Sequence, residues 1–154
     1  MNNADTSQSA PEALVRLADL FAAPFHEIEG AIVLGNRGEA LRHLEEFRGD
    51  PTGFEAFVNH VHLEDIVSGI SFEPRTKRRR LLYVGEILIN VWVDRFVALL
   101  RDRAALFYLG GSNDVTLRFH LEREQYPPWL PCDSARSARM LIFRATAGKV
   151  VKIS

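Results

Sequence analysis

The stretch from Thr76 to Asp102 constrains this chain most, because its pattern predicts one long helix that the rest of the domain must wrap. At 100° per residue, Glu86, Asn90, Asp94 and Arg101 fall on one narrow polar stripe. Leu81, Val84, Leu88, Val91, Trp92, Phe96 and Leu99 fill the opposite side, and further apolar residues flank the stripe. Such a helix is expected to be central and largely buried. Glu86, Asn90, Asp94 and Arg95 interrupt the apolar run from Leu81 to Leu100, which argues against a membrane span. Arg95 alone points into the apolar side. A guanidinium there needs an internal carboxylate, an exit to solvent at the helix edge, or a ligand carboxylate or phosphate.

Shorter helices precede this element. Ser9-Ala10-Pro11-Glu12 reads as a capping box, and Leu14, Leu17, Ala18 and Phe21 follow on one helical face until Pro24 stops the run. Phe25 to Leu34 is read as helix, although Ala31 to Leu34 also suits a short buried strand. Glu39 to Arg48 is predicted as a short helix with Ala40, Leu41, Leu44 and Phe47 inward. Thr52-Gly53-Phe54-Glu55 reads as a second capping box, opening a helix that runs toward Ser68 with Phe54, Phe57, Val58 and Val61 on one face. Ile70 to Glu73 fits a short strand or a bridge, and Pro74 argues against helix there.

After the long helix the period changes. Ala105 to Leu109, Val115 to Glu122, Met140 to Ala145 and Val150 to Ile153 read as strands. In the second, Val115, Leu117, Phe119 and Leu121 alternate with Thr116, Arg118, His120 and Glu122, which predicts one face on the core and one in water. Helices followed by a meander give an α+β domain, with the long helix packed on a C-terminal antiparallel sheet of about four strands. Residues 1–8 are expected to be a disordered tail, and residues 9–154 one domain, since 154 residues fit a single domain of ordinary size. The lone Cys132 and the polar start from Met1 to Ala10 predict a reducing, cytoplasmic setting.

The net charge of −1 conceals a division. Residues 1–75 carry 13 acidic and 5 basic side chains, or −8, and residues 76–154 carry 7 acidic and 14 basic, or +7. Either the two halves attract each other within the fold, or one of them meets a charged partner.

No spacing in the chain fixes a reaction. His60, His62, Glu64 and Asp65 hold metal-ligating atoms; a strand over residues 60–64 would align His60, His62 and Glu64, but the preceding helix signal favours a helix, on which the two histidines point apart, so no metal is expected. Thr116, Arg118, His120 and Glu122 share a sheet face that suits binding better than general-base catalysis. Lys77-Arg78-Arg79-Arg80 opposes the dipole of the helix it opens, so an acidic partner within the fold is expected to face it, and nucleic-acid binding is disfavoured for want of interleaved aromatics. Gly110 to Asp114 is a turn, and Asp133 beside Cys132 has the wrong sign to activate a thiolate. Tyr126-Pro127-Pro128-Trp129 reads as a stiff recognition loop.

These readings converge on a non-enzymatic, cytosolic protein-binding protein without a cofactor, in the manner of a bacterial inhibitor that blocks a toxin domain. Its candidate partner-binding residues are Glu45, Glu46, Asp50, Glu55, Arg118, His120, Glu122, Tyr126 and Trp129. A pocket between helices and sheet, lined by Arg95 and His120, is the alternative, and a nucleic-acid regulator is a second.

Overall fold

The computed structural model describes residues 9–147 and 149–154, so the expectation for residues 1–8 lies outside the described residues. The chain is an α+β fold in which one long helix packs on a C-terminal antiparallel sheet. Helix α1 spans Ala10–Ala22, the hairpin strands β1 and β2 span Phe25–Ile28 and Ala31–Leu34, and α2 spans Arg37–His43 before a 3-10 turn at Leu44–Phe47. Helix α3 is Pro51–Val58, β3 is Val61–His62, α4 is Leu63–Ile66 and the long helix α5 is Pro74–Leu100. Strands β4 (Ala105–Gly110) and β5 (Thr116–Leu121), helix α6 (Cys132–Ser137), and strands β6 (Met140–Thr146) and β7 (Lys149–Lys152) complete the chain. The main sheet has the order β3-β5-β4-β6-β7, one strand more than expected, because the two-residue β3 pairs with Leu117 and Thr116.

Helix α5 buries Leu81, Gly85, Leu88, Ile89, Trp92, Val93, Phe96 and Leu100. Pro74 sits in its first turn, where its missing N–H costs nothing, so the proline marks a start rather than an exclusion. The preceding residues, Ile70 to Glu73, form neither strand nor helix. At Gly85 the helix comes so close to β4 that an added Cβ would lie 2.3 Å from Leu109. Phe96 of α5 packs with Phe25, Phe107 and Phe119, with ring centroids 4.7 to 6.1 Å apart along the series. Offset and edge contacts of this kind add to the burial of each ring.

Several expectations are corrected. Phe25 to Leu34 is a hairpin, not a helix: Glu29 and Gly30 both take positive φ (49° and 80°), the two-residue turn that matches strand twist, and Phe25 pairs with Leu34. Leu14 is 59% exposed, and α1 instead turns Ala13, Leu17 and Leu20 inward. The cap of α3 is Asp50, which accepts from Gly53 N–H at 2.8 Å with Pro51 at the first helical position, so Thr52 and Glu55 form no capping box. That helix ends at Val58, with Asn59 as its C-cap, and does not run on toward Ser68. Leu41 and Phe57, expected inward, are 41% and 47% exposed.

The largest correction concerns the outer face of the main sheet. It was expected to meet water, but residues 123–139 fold back over it. Trp129, Leu130, Ala135 and Ala138 pack on Leu106, Tyr108, Met140 and Ile142 to make a satellite core. The sheet centre is therefore sandwiched between α5 on one side and this loop with α6 on the other.

Candidate functional site

The nine candidate partner-binding residues separate into an interior group and a surface group. Glu55 is fully buried. Its carboxylate accepts from Ile32 N–H (2.7 Å), Leu121 N–H (2.7 Å) and the Arg123 guanidinium (2.6 Å). One turn on, the buried Asn59 accepts from Leu34 N–H at 2.8 Å and donates to the carbonyls of Ile32 and Phe119. These two side chains of α3 satisfy backbone groups of β2 and β5 where neither strand has a neighbour. Buried backbone polar groups need partners, and an i, i+4 pair on one helix supplies them here. Glu55 is thus a bridge between two sheets and not part of a docking face.

His120 is likewise interior, at 1% exposure. Its Nδ1 donates to the Leu121 carbonyl at 2.8 Å, while Nε2 accepts from Trp129 N–H at 3.2 Å and stands 3.2 Å from the Tyr108 hydroxyl. Burial pushes its pKa below the usual imidazole range. Burial also raises the Tyr108 hydroxyl to about 12. A neutral imidazole with both nitrogens occupied is an anchor for the loop and has no lone pair left for a substrate proton. Arg118 donates to the Ala56 carbonyl at 3.1 Å and lies 4.8 Å over the Trp129 ring. Trp129 therefore spends its surface on the protein itself. Glu122 pairs with Arg144 at 2.7 Å at the sheet margin. Glu122, Tyr126 and His120 line a cavity of about 150 Å³.

Arg95 is exposed, and its guanidinium donates to the carbonyls of Phe21 and Ala22, the latter at 2.9 Å. It caps the C-terminal end of α1, where a cation is favoured. Arg95 and His120 do not meet in a common pocket: Arg95 serves α1, and His120 lies under the loop on the far face of the sheet.

The surface group consists of Glu122, at the sheet margin, and of Glu45, Glu46 and Asp50, all exposed on the arm formed by α2, the 3-10 turn and α3. Glu45 pairs with Arg48 at 3.1 Å and Glu46 with His43 at 3.3 Å. Sequence reasoning missed the aromatic cluster beside them. Phe57 contacts His43 (5.0 Å) and Phe47 (5.2 Å), and Phe47 contacts Phe54 at 6.2 Å. An open groove of about 320 Å³ between Glu29, Glu45, Phe47 and Pro51 lies on one side of this arm. A second, of about 270 Å³, reaches from Glu39 and His43 to His60 on the other. The spacing gave no signal: Phe54 and Phe57 stand at i, i+3 on one side of α3, yet Phe54 is buried and Phe57 is 47% exposed.

His60 and His62 have ring centroids 4.3 Å apart. Burial, with the positive charges of Arg118 and His62, holds His60 down at about 4. Its Nε2 is buried without a hydrogen-bond partner in the protein. Glu64 turns away and accepts from Val115 N–H at 2.9 Å. Among the described residues no three His, Cys, Asp or Glu side chains converge as metal ligands. None of the described helices is long and apolar enough to cross a membrane. No curated protein and no solved structure matches the chain. Its residues 1–135 match one family model, and the chain belongs to the uncharacterized protein PM0498 family.

Proposed function

We propose that this is a cytosolic protein-binding protein whose docking surface is the arm of α2, the 3-10 turn and α3. The observation that carries the reading is the aromatic cluster of the exposed Phe57 with the half-buried Phe47 and His43, bordered by Glu39, Glu45, Glu46 and Asp50 and flanked by two open grooves. Aromatic anchors beside a polar rim are the composition of an interface centre. Arg37, Arg42 and Arg48 are interspersed among the acids, so the aromatic group supplies affinity and the carboxylates supply orientation. The partner it fits is a protein that offers basic side chains to Glu39, Glu45 and Glu46 and an apolar side chain to a groove. A bacterial toxin domain with a basic working surface is one such partner, and this chain would then be its inhibitor.

The test is calorimetric titration of the protein with the product of the neighbouring gene. Phe57→Ala is expected to weaken binding at least tenfold, the loss of one anchoring side chain. Glu45→Lys with Glu46→Lys is expected to slow association more than it speeds dissociation. Binding insensitive to both changes removes the arm as the docking surface.

A further inference from the structure

We propose that the basic end of α5, together with the α6–β6 junction, binds the phosphodiester backbone of a nucleic acid. The patch comprises Arg75, Lys77, Arg78, Arg79 and Arg80 on α5, and Arg136 and Arg139 at the junction. It is one surface because the Arg78 guanidinium spans the two parts, donating to the carbonyls of Gly111 (2.7 Å) and Arg139 (3.1 Å). Arg75, Lys77, Arg79, Arg80, Arg136 and Arg139 are all exposed.

The basic run was expected to face an acidic partner inside the fold. It does not: among the described residues, none of these cations takes part in an ion pair. The acidic half spends two of its carboxylates elsewhere, with Glu27 on Arg101 and Arg103, and Glu55 on Arg123. Arg80 lies 5.8 Å over the Phe72 ring instead. Glu73, before the helix, and Asp133, in α6, are the nearest acids in sequence.

Keeping this charge carries a cost within the fold. Five cations within six residues place like charges at i, i+3 and i, i+4, and they oppose the helix dipole. Among the described residues, no ion pair of Arg75, Lys77, Arg79 or Arg136 offsets that cost. A polyanion outside the fold offsets it.

Arginine outnumbers lysine here, and the guanidinium fork matches two phosphate oxygens at once. Tyr83, 65% exposed and one turn beyond Arg79, adds an aromatic face on which a base can stack. Tyr83 and Ile87 are too small an apolar group to enter a bilayer, which favours a nucleic acid over an anionic membrane.

The test is fluorescence anisotropy with a labelled 20-nucleotide single strand and a labelled 20-base-pair duplex, each from 50 to 200 mM salt. For about five phosphate contacts, the wild-type affinity should fall by roughly 10²–10³ over that range. The triple variant Arg75→Gln, Lys77→Gln, Arg79→Gln leaves Arg78 and its two carbonyl bonds in place. It should lower the salt slope by about three while the circular dichroism spectrum is unchanged. Tyr83→Ala should weaken the single strand and spare the duplex. Absence of salt-sensitive binding by the wild-type protein overturns the proposal without recourse to any variant. So does a triple variant that folds and binds undiminished, or tighter binding to phosphatidylserine vesicles or polyglutamate than to either nucleic acid.

Discussion

Glu55 and the run from Arg75 to Arg80 handle charge in opposite ways. Glu55 is a single carboxylate, fully buried, with three donors on it. The run is a dense block of cations, mostly exposed, with no carboxylate on it among the described residues. From the sequence alone each invites the reverse reading, the acid as part of a partner's surface and the bases as neutralised within the fold. The difference shows that unmet backbone groups decide where a charge goes. Ile32 N–H and Leu121 N–H sit on strand edges that face each other without a strand between them, and a carboxylate on α3 meets both. At the start of α5, among the described residues, Arg78 is the cation of the run whose side chain donates to backbone carbonyls, those of Gly111 and Arg139.

Breaking the interior site should have the largest effect. Glu55→Ala leaves two buried N–H groups unpaired and Arg123 with only the Leu121 and Gly30 carbonyls, and removing one partner of a buried pair typically costs about 3–5 kcal/mol. That is a large share of the roughly 5–15 kcal/mol that holds a domain together. Arg123→Ala leaves Glu55 its two backbone donors and should cost distinctly less. Urea denaturation of both variants checks the order, and equal losses would mean that the ion pair, and not the bridging of two strands, is the stabilising element.

Trp129→Ala comes next. The side chain covers Tyr108 and Arg118 from a partly exposed position, so the loss should be about 2–3 kcal/mol, below that of a fully buried tryptophan. It tests whether the loop is part of the fold or a free recognition element: an unchanged denaturation midpoint would return the loop to the partner's side.

The long helix and the strands of the meander were legible because their periods run for many residues. What was not legible has local physical reasons. The β1–β2 hairpin turns on Glu29-Gly30, a weaker sequence signal than Asn-Gly. Strand β3 is two residues long, too short to show any alternation. The alternation in β5 correctly put Thr116, Arg118, His120 and Glu122 on one face. It could not show that residues 123–139 return to cover that face, because a covering loop leaves no periodic trace. For the same reason Trp129 and His120 read as surface groups while they bond to each other. The aromatic cluster of the arm was hidden by the assumption that every phenylalanine of α3 faces inward, although Phe57 is 47% exposed.

Acid offers a third, intermediate perturbation. His60 in the folded chain titrates at about 4, against about 6.5 unfolded. With the folded pKa depressed, the unfolded chain binds the proton first. Stability is therefore full above about 6.5 and is lost as pH falls from there toward 4. The half-buried position and solvent screening reduce the loss to about 1–2 kcal/mol. His120, also depressed by burial, adds in the same direction. Melting temperature measured from pH 7 to 4 should fall, and His60→Asn should flatten part of the slope. A slope unchanged by that variant would assign the effect to His120 and the loop it anchors.

The smallest effect belongs to the basic run and has the opposite sign. Lys77→Glu replaces a cation with an anion in the first turn of α5, relieving both the dipole and the like-charge pairs. It should stabilise the protein by about 0.5–1 kcal/mol, or raise the melting temperature by about 1–4 °C. A gain means that the fold tolerates this charge at a cost to itself, the counterpart of Glu55, which the fold requires. A loss would mean that Lys77 meets a carboxylate within the protein, and the contrast between the two sites would collapse into one rule of internal neutralisation.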